Sequence, residues 1–157
     1  AAHLGARAVI TDGDEAEVPA LYANASLFAE AGGSRAVLGG SLDVATLAWG
    51  SEAAAEAADA APGLLPRRGF DLIIGSDIVY MPACIPALAE TIVFFLADGG
   101  QAMIANTAVA TNTSQAEARA LFFESLQAAG LSVGVQTPSE HHGAFQEGGC
   151  WTSTDYF

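Results

Sequence analysis

The chain has 157 residues, 52% of them hydrophobic, and carries 5 basic against 18 acidic side chains for a formal net charge of −13. That length and apolar content suit one ordinary domain with a real core and exclude global disorder. The acidic balance repels phosphate and so disfavours nucleic acid; it suits a basic protein segment or a cationic cofactor, and equally serves solubility alone.

Cys84 and Cys150 are too few for a disulfide scaffold and lack the paired spacing of a structural zinc site. No run of about 18 apolar residues occurs, and the alanine-rich opening has no basic start or long apolar stretch. The expectation is a soluble chain with reduced thiols, in the cytoplasm or the nucleus, that does not enter a membrane.

Ala1 to Ala6 reads as the last turn of a helix closing on Gly5. It leads into Arg7-Ala8-Val9-Ile10-Thr11, a short buried-strand pattern. Apolar residues Val18, Leu21, Tyr22, Ala25, Phe28 and Ala29 then follow helical spacing up to Gly32-Gly33. Pro19 fits a first helical turn, which leaves the helix start open between Asp14 and Val18. Ser41 to Leu47 alternates as a strand ending at Trp49-Gly50. Ser51 to Gly69, rich in alanine and glutamate and closed by prolines, reads as a surface insertion with a short helix.

Phe70 to Ser76 is a nearly unbroken apolar run, the pattern of a strand covered on both faces. Pro82 and Pro86 open the next helix, whose buried face is Ile85, Leu88, Ala89, Ile92, Val93 and Leu96. Asp98-Gly99-Gly100 turns the chain into a strand over Gln101 to Ala105. Ser114-Gln115-Ala116-Glu117 has capping-box spacing and opens an amphipathic helix closed by Gly130. Leu131 to Gln136 reads as a strand, and Cys150 to Thr154 as a returning one. Strands alternating with helices predict an α/β layered sheet with parallel crossovers and an antiparallel C-terminal hairpin.

Ligands of such sheets gather at the carboxyl ends of strands, which singles out Asp12, Trp49 and Ser76-Asp77-Ile78-Val79-Tyr80. The two oxygens of Asp12 match a vicinal diol such as that of a ribose, a signal a nicotinamide enzyme would also show; the alternative is a helix cap. Asp14, with Glu17 three residues later, is the better cap candidate. Trp49 suits stacking on a base and filling the core equally. Asp77 and Tyr80 read either as site residues or as a turn residue and a core aromatic. Asn106, at the end of the next strand, could line the same cleft, but capping and loop roles are favoured and it is not counted as a site residue. His141-His142 lacks acidic or cysteine partners at a ligand spacing, so no metal is expected.

Ile10-Thr11-Asp12, then Leu47-Ala48-Trp49-Gly50, then Phe70-Asp71-Leu72-Ile73-Ile74-Gly75-Ser76-Asp77-Ile78-Val79-Tyr80 occur in the order found in seven-strand protein-lysine methyltransferases. From Ala1 to about Gly130 the chain resembles the group with the Asp-x-x-Tyr motif, that of methyltransferase-like 21 and calmodulin-lysine methyltransferase. The resemblance implies a Rossmann-like methyltransferase sheet that uses S-adenosylmethionine and methylates a lysine presented by a protein substrate. It further implies that Asp12 binds the cofactor ribose, that Trp49 packs near the adenine, and that Ser76, where the group more commonly has alanine, lies beside the adenine through its backbone. Asp77 and Tyr80 match the catalytic pair.

The group also has a first strand followed by a glycine-rich loop, and neither Gly32-Gly33 nor Gly39-Gly40 replaces it. The expectation is therefore one partial methyltransferase domain over residues 1–157, lacking that strand and loop and unstable or inactive alone. Two other readings stay open: a methyltransferase for a small molecule or another residue type, and a non-catalytic interaction module that has kept the fold without the cofactor.

Overall fold

The computed structural model describes residues 2, 5–32, 39–107, 112–135 and 154–156. The chain divides into two compact units, Ala1–Arg67 and Arg68–Phe157.

The first unit is built on β1 (Arg7–Asp12) and β2 (Ser41–Thr46), which pair in parallel from Arg7 opposite Ser41 to Asp12 opposite Thr46. A parallel pair needs a crossover, and α1 (Val18–Gly32) supplies it. Its start settles at Val18, which puts Pro19 in the first turn, where its missing N–H costs no helical bond. α2 (Ser51–Ala60) follows a corner at Gly50, whose φ of 123° is a conformation that side chains other than glycine resist. Ala54 and Ala58 of α2 are buried, as are Val44, Leu47 and Leu65. β1 is half-buried along most of its length, less covered than its apolar pattern suggests.

The second unit centres on β3 (Phe70–Ser76), β4 (Leu96–Thr107) and β5 (Thr154–Tyr156), in the order β3-β4-β5. β3 pairs with β4 in parallel, with Ser76 opposite Ala105, and β5 returns antiparallel on Ala105 to Thr107. Asp98-Gly99-Gly100 does not separate two elements as expected. Phe70 pairs with Leu96 and Leu72 with Gln101, so the residues between Leu96 and Gln101 bulge out of one continuous strand. Gly99 sits at φ 79° in that bulge, and Asp98 takes an ion pair from Arg68. Both ion-pair partners are exposed, so the contact adds little stability.

Crossing from β3 to β4 are a 3-10 turn at Pro82–Cys84 and α3 (Ile85–Phe95), with Pro86 in its first turn. α3 buries Ile85, Leu88, Ala89, Ile92 and Phe95, and with them Thr91, whose hydroxyl donates to the Ala87 carbonyl at 2.9 Å. Phe95 meets Phe70 edge-on at 6.0 Å. α4 (Thr113–Ala128) packs on α3 through Ala118, Phe122 and Leu126. Its cap is Asn112, whose Oδ1 accepts from the Gln115 N–H at 2.9 Å, and not the expected Ser114. The box spacing points two residues too late, because asparagine caps as well as serine. At the other end Gly130, at φ 84°, and the bond from Leu131 N–H to the Leu126 carbonyl close the helix as foreseen.

The apolar run of β3 is covered on one face and open on the other. Ile104 of β4 is 1% exposed on the helix side, whereas Leu72, Ile74 and Met103, which share the opposite face, are 43%, 66% and 44% exposed. Residues 131–135 form no strand, and residue 136 and the stretch 150–153 lie outside the described residues.

Phe122 is fully buried between two helices, so Phe122→Ala is expected to lower the unfolding free energy by about 3–5 kcal/mol, against under about 0.5 kcal/mol for Leu27→Ala on the exposed side of α1. Urea denaturation followed by circular dichroism measures both. In the same assay Asn112→Ala should cost about 1 kcal/mol and Ser114→Ala much less; the reverse order would restore the serine as the cap.

Candidate functional site

Parallel strands put their carboxyl ends at one edge of the sheet, and each unit carries part of the expected site at such an edge. In the first unit Asp12 closes β1. Its carbonyl accepts from the Leu47 N–H at 2.8 Å, which ties the end of β2 to the end of β1. Asp14 is the better cap candidate by sequence, which leaves Asp12 freer for a ligand, yet Asp12 also has a local bond: its Oδ1 accepts from the Asp14 N–H at 2.9 Å. Asp14 in turn accepts from Ala16 N–H at 2.9 Å, and Glu17 N–H bonds to the Asp14 carbonyl. The two carboxylates thus make successive Asx turns in place of a single helix cap. Oδ2 of Asp12, and the second lone pair of Oδ1, remain available as acceptors. Trp49 lies beyond the end of β2, half-buried, next to the positive-φ corner at Gly50.

In the second unit β3 ends at Ser76, which is exposed. The chain then bends at Asp77, whose φ of 53° is in the left-handed region. Aspartate tolerates this conformation better than most residues, yet it still costs on the order of 1 kcal/mol and is kept only where the surroundings fix it. Two contacts fix it here. The Asp77 N–H donates to the Ala105 carbonyl at 2.8 Å, extending the ladder one residue past the strand. Behind the bend, Ile78 packs over Gly75, where a Cβ would come within 2.3 Å of the Ile78 Cδ1. Glycine at 75 therefore lets the 77–80 segment fold back onto the strand it leaves.

Val79 is 2% exposed and anchors this segment, while Tyr80 is 47% exposed. Together with Asn106, Gln115 and Arg119 they surround a recess of about 50 Å³ in which Asp77 also takes part. The expected pair Asp77 and Tyr80 is thus brought together, on one carboxylate-bearing bend. Asp77 and Arg119 are the charged residues of this lining, so its formal charges cancel.

Three further residues line the recess: Gln115 and Arg119, which the sequence does not mark, and Asn106, which the sequence places near the cleft but favours as a cap or loop residue. Asn106 is the strongest of them: it is 6% exposed, its Nδ2 donates to the Val79 carbonyl at 3.0 Å, and its buried Oδ1 has no hydrogen-bond partner. A buried acceptor left unmet costs about 1–3 kcal/mol. Gln115 and Arg119 come from the first turns of α4, one helical turn apart on one face. Nothing local in the sequence marks them, because only the packing of α4 on α3 turns that face toward the end of β3. Among the described residues no group of three histidine, cysteine or carboxylate side chains could hold a metal ion, and His141-His142 lies outside them. No described helix is long and apolar enough to cross a membrane. Cys84 is half-buried and unbridged, and Cys150 lies outside the described residues.

No protein-family model matches the chain. Among curated proteins, it is 37% identical over 92 residues to the protein N-lysine methyltransferase METTL21A of Danio rerio, a stretch that takes in 59% of this chain and 35% of that protein. The chain therefore spans about a third of the length of the relative it matches. The resemblance carried by Asp12, Trp49 and the Asp77-x-x-Tyr80 bend is thus accompanied by similarity to a protein N-lysine methyltransferase.

Proposed function

We propose that the protein transfers a methyl group from S-adenosylmethionine to a lysine side chain of a protein substrate. The observation that supports this most is the match to a protein N-lysine methyltransferase in a chain whose Asp77 and Tyr80 face one recess at a strand end. The parallel pairing of β1 with β2 and of β3 with β4 is compatible with a Rossmann-like methyltransferase sheet, which is part of the same proposal.

The residues of the first unit suit the cofactor's chemistry. Asp12 keeps acceptor capacity for a ribose hydroxyl despite its turn bond, and half-buried Trp49 has an aromatic face of the kind that packs on adenine. Ser76 would contribute through its backbone at the end of β3. The bound cofactor would supply an electrophilic methyl on a sulfonium, its S–C bond breaking to release the neutral thioether S-adenosylhomocysteine as the amine lone pair takes the methyl.

The chain's own part is to present that lone pair. A lysine amine has an ordinary pKa of about 10.4 and must shed its proton before it can attack. A lone carboxylate would hold the amine near the site but favour the ammonium. In this recess Asp77 shares the lining with Arg119, and a nearby cation favours the neutral amine. Asp77 is then an orienting acceptor, Tyr80 an aromatic wall with a hydroxyl, and Arg119 a bias against the charged form.

Calorimetric titration of S-adenosylhomocysteine, followed by methylation of a protein pool with labelled cofactor and identification of the modified residue, tests the proposal. Binding in the micromolar range and label on lysine are expected; label on another residue type or on small molecules overturns the lysine assignment. Asp12→Asn preserves the turn acceptor but removes the charge, and in the full-length protein it should weaken S-adenosylhomocysteine binding about tenfold. Asp77→Asn tolerates the left-handed bend, so it separates chemistry from folding. It should lower methyl transfer about ten- to a hundredfold while leaving cofactor affinity nearly unchanged. Undiminished transfer would remove Asp77 from the reaction.

A further inference from the structure

The unmet oxygen of Asn106 has a consequence for the substrate. Asn106 follows Ala105, the residue that pairs with Ser76 and accepts the Asp77 N–H, so it stands at the level of the bend. Which way its amide faces is decided by chemistry: Nδ2 lies 3.0 Å from the Val79 carbonyl, and reversing the group would set oxygen against oxygen. Oδ1 is therefore the end left without a donor, in a residue that is buried and lines the recess with Asp77 and Tyr80. The Nδ2 bond alone explains why a donor stands at this position. It does not explain an acceptor buried at a net cost.

We propose that Asn106 Oδ1 is a substrate-positioning acceptor that takes one N–H of the lysine amine, an inference that rests on the lysine methyltransferase reading. A neutral primary amine offers two N–H donors and one lone pair. With one N–H on Asp77 and the other on Asn106, the lone pair is the direction left over. A carbonyl oxygen carries no formal charge, so it orients the amine without favouring the ammonium as a second carboxylate would. Oδ1 itself is closed to bulk solvent, so the amine N–H reaches it only when the lining of the recess shifts.

The test uses two probes of equal charge and chain length, n-butylammonium, which has N–H donors, and n-butyltrimethylammonium, which has none. The side-chain amide resonances of Asn106 in the full-length protein should shift on titration with the first and stay in place with the second. Asn106→Leu should weaken n-butylammonium binding about three- to tenfold, read from backbone amides around Asp77. Equal shifts from both probes, or no shift from n-butylammonium, overturn the inference, and the paired titration of the unaltered protein decides it even where the leucine variant does not fold. The readout needs no cofactor. Amine binding without S-adenosylhomocysteine binding would leave the acceptor standing and remove the methyltransferase reading, and the opposite pattern would do the reverse.

Discussion

The pairing of β3 with β4 is the constraint on which the recess depends. It sets Ser76 opposite Ala105, so the ladder's last bond, from the Asp77 amide to the Ala105 carbonyl, falls one residue beyond the strand. Asp77 must then leave the sheet at once, and its left-handed backbone makes the bend. Everything that lines the recess on this side follows from that bend: Val79 turns inward as an anchor, its carbonyl meets Asn106, and Tyr80 stays at the surface. A shift of one residue in the register would move these side chains to the wrong face.

The helices supply the opposite wall by ordinary core packing. Phe122 and Ala118 seat α4 on α3, and the same seating carries Gln115 and Arg119 to the recess. The site is thus rigid where it rests on buried apolar contacts and more adaptable at Tyr80. The 77–80 segment is held at its base by the Asp77 amide, by Ile78 over Gly75 and by buried Val79, while the Tyr80 side chain stays largely at the surface.

Strong periodicity made the elements legible in the sequence. The helix face of α4, most of that of α3, the strand at Phe70 to Ser76 and the Gly130 stop follow from local pattern, because each is decided within a few turns of chain; Leu96, read as the end of the α3 face, instead opens β4, and Phe95 is buried on the helix in its place. Trp49, Asp77 and Tyr80 were legible as strand-end residues through their order in the chain. What sequence could not reach was decided by tertiary pairing. The bulge between Leu96 and Gln101 looks like a turn because its residues, Asp98-Gly99-Gly100, are turn residues; only the partner strand shows that the pairing resumes. For Asn106, a strand-end residue, cap and loop roles outweighed a place in the cleft, because the Val79 carbonyl that its Nδ2 meets lies far away in sequence. The turn bond on Asp12 was hidden because two successive aspartates can each cap, and geometry decides which amide each one takes.

On the proposed reading, charge on the whole protein and charge in the recess act on a substrate lysine in complementary ways. A net charge of −13 favours the approach of basic segments, and it acts on the ammonium form, which predominates in water near neutral pH. Had the recess the same sign, it would hold that ammonium and keep its lone pair occupied by a proton. Asp77 against Arg119 leaves the lining with no net formal charge, and the unmet Asn106 oxygen offers a neutral acceptor. On the proposed reading, attraction acts at long range and is relaxed where the proton has to leave. On that same reading, a second carboxylate in place of Asn106 would hold the ammonium more tightly and slow methyl transfer, because the added affinity would go to the protonated ground state and not to the attacking neutral amine.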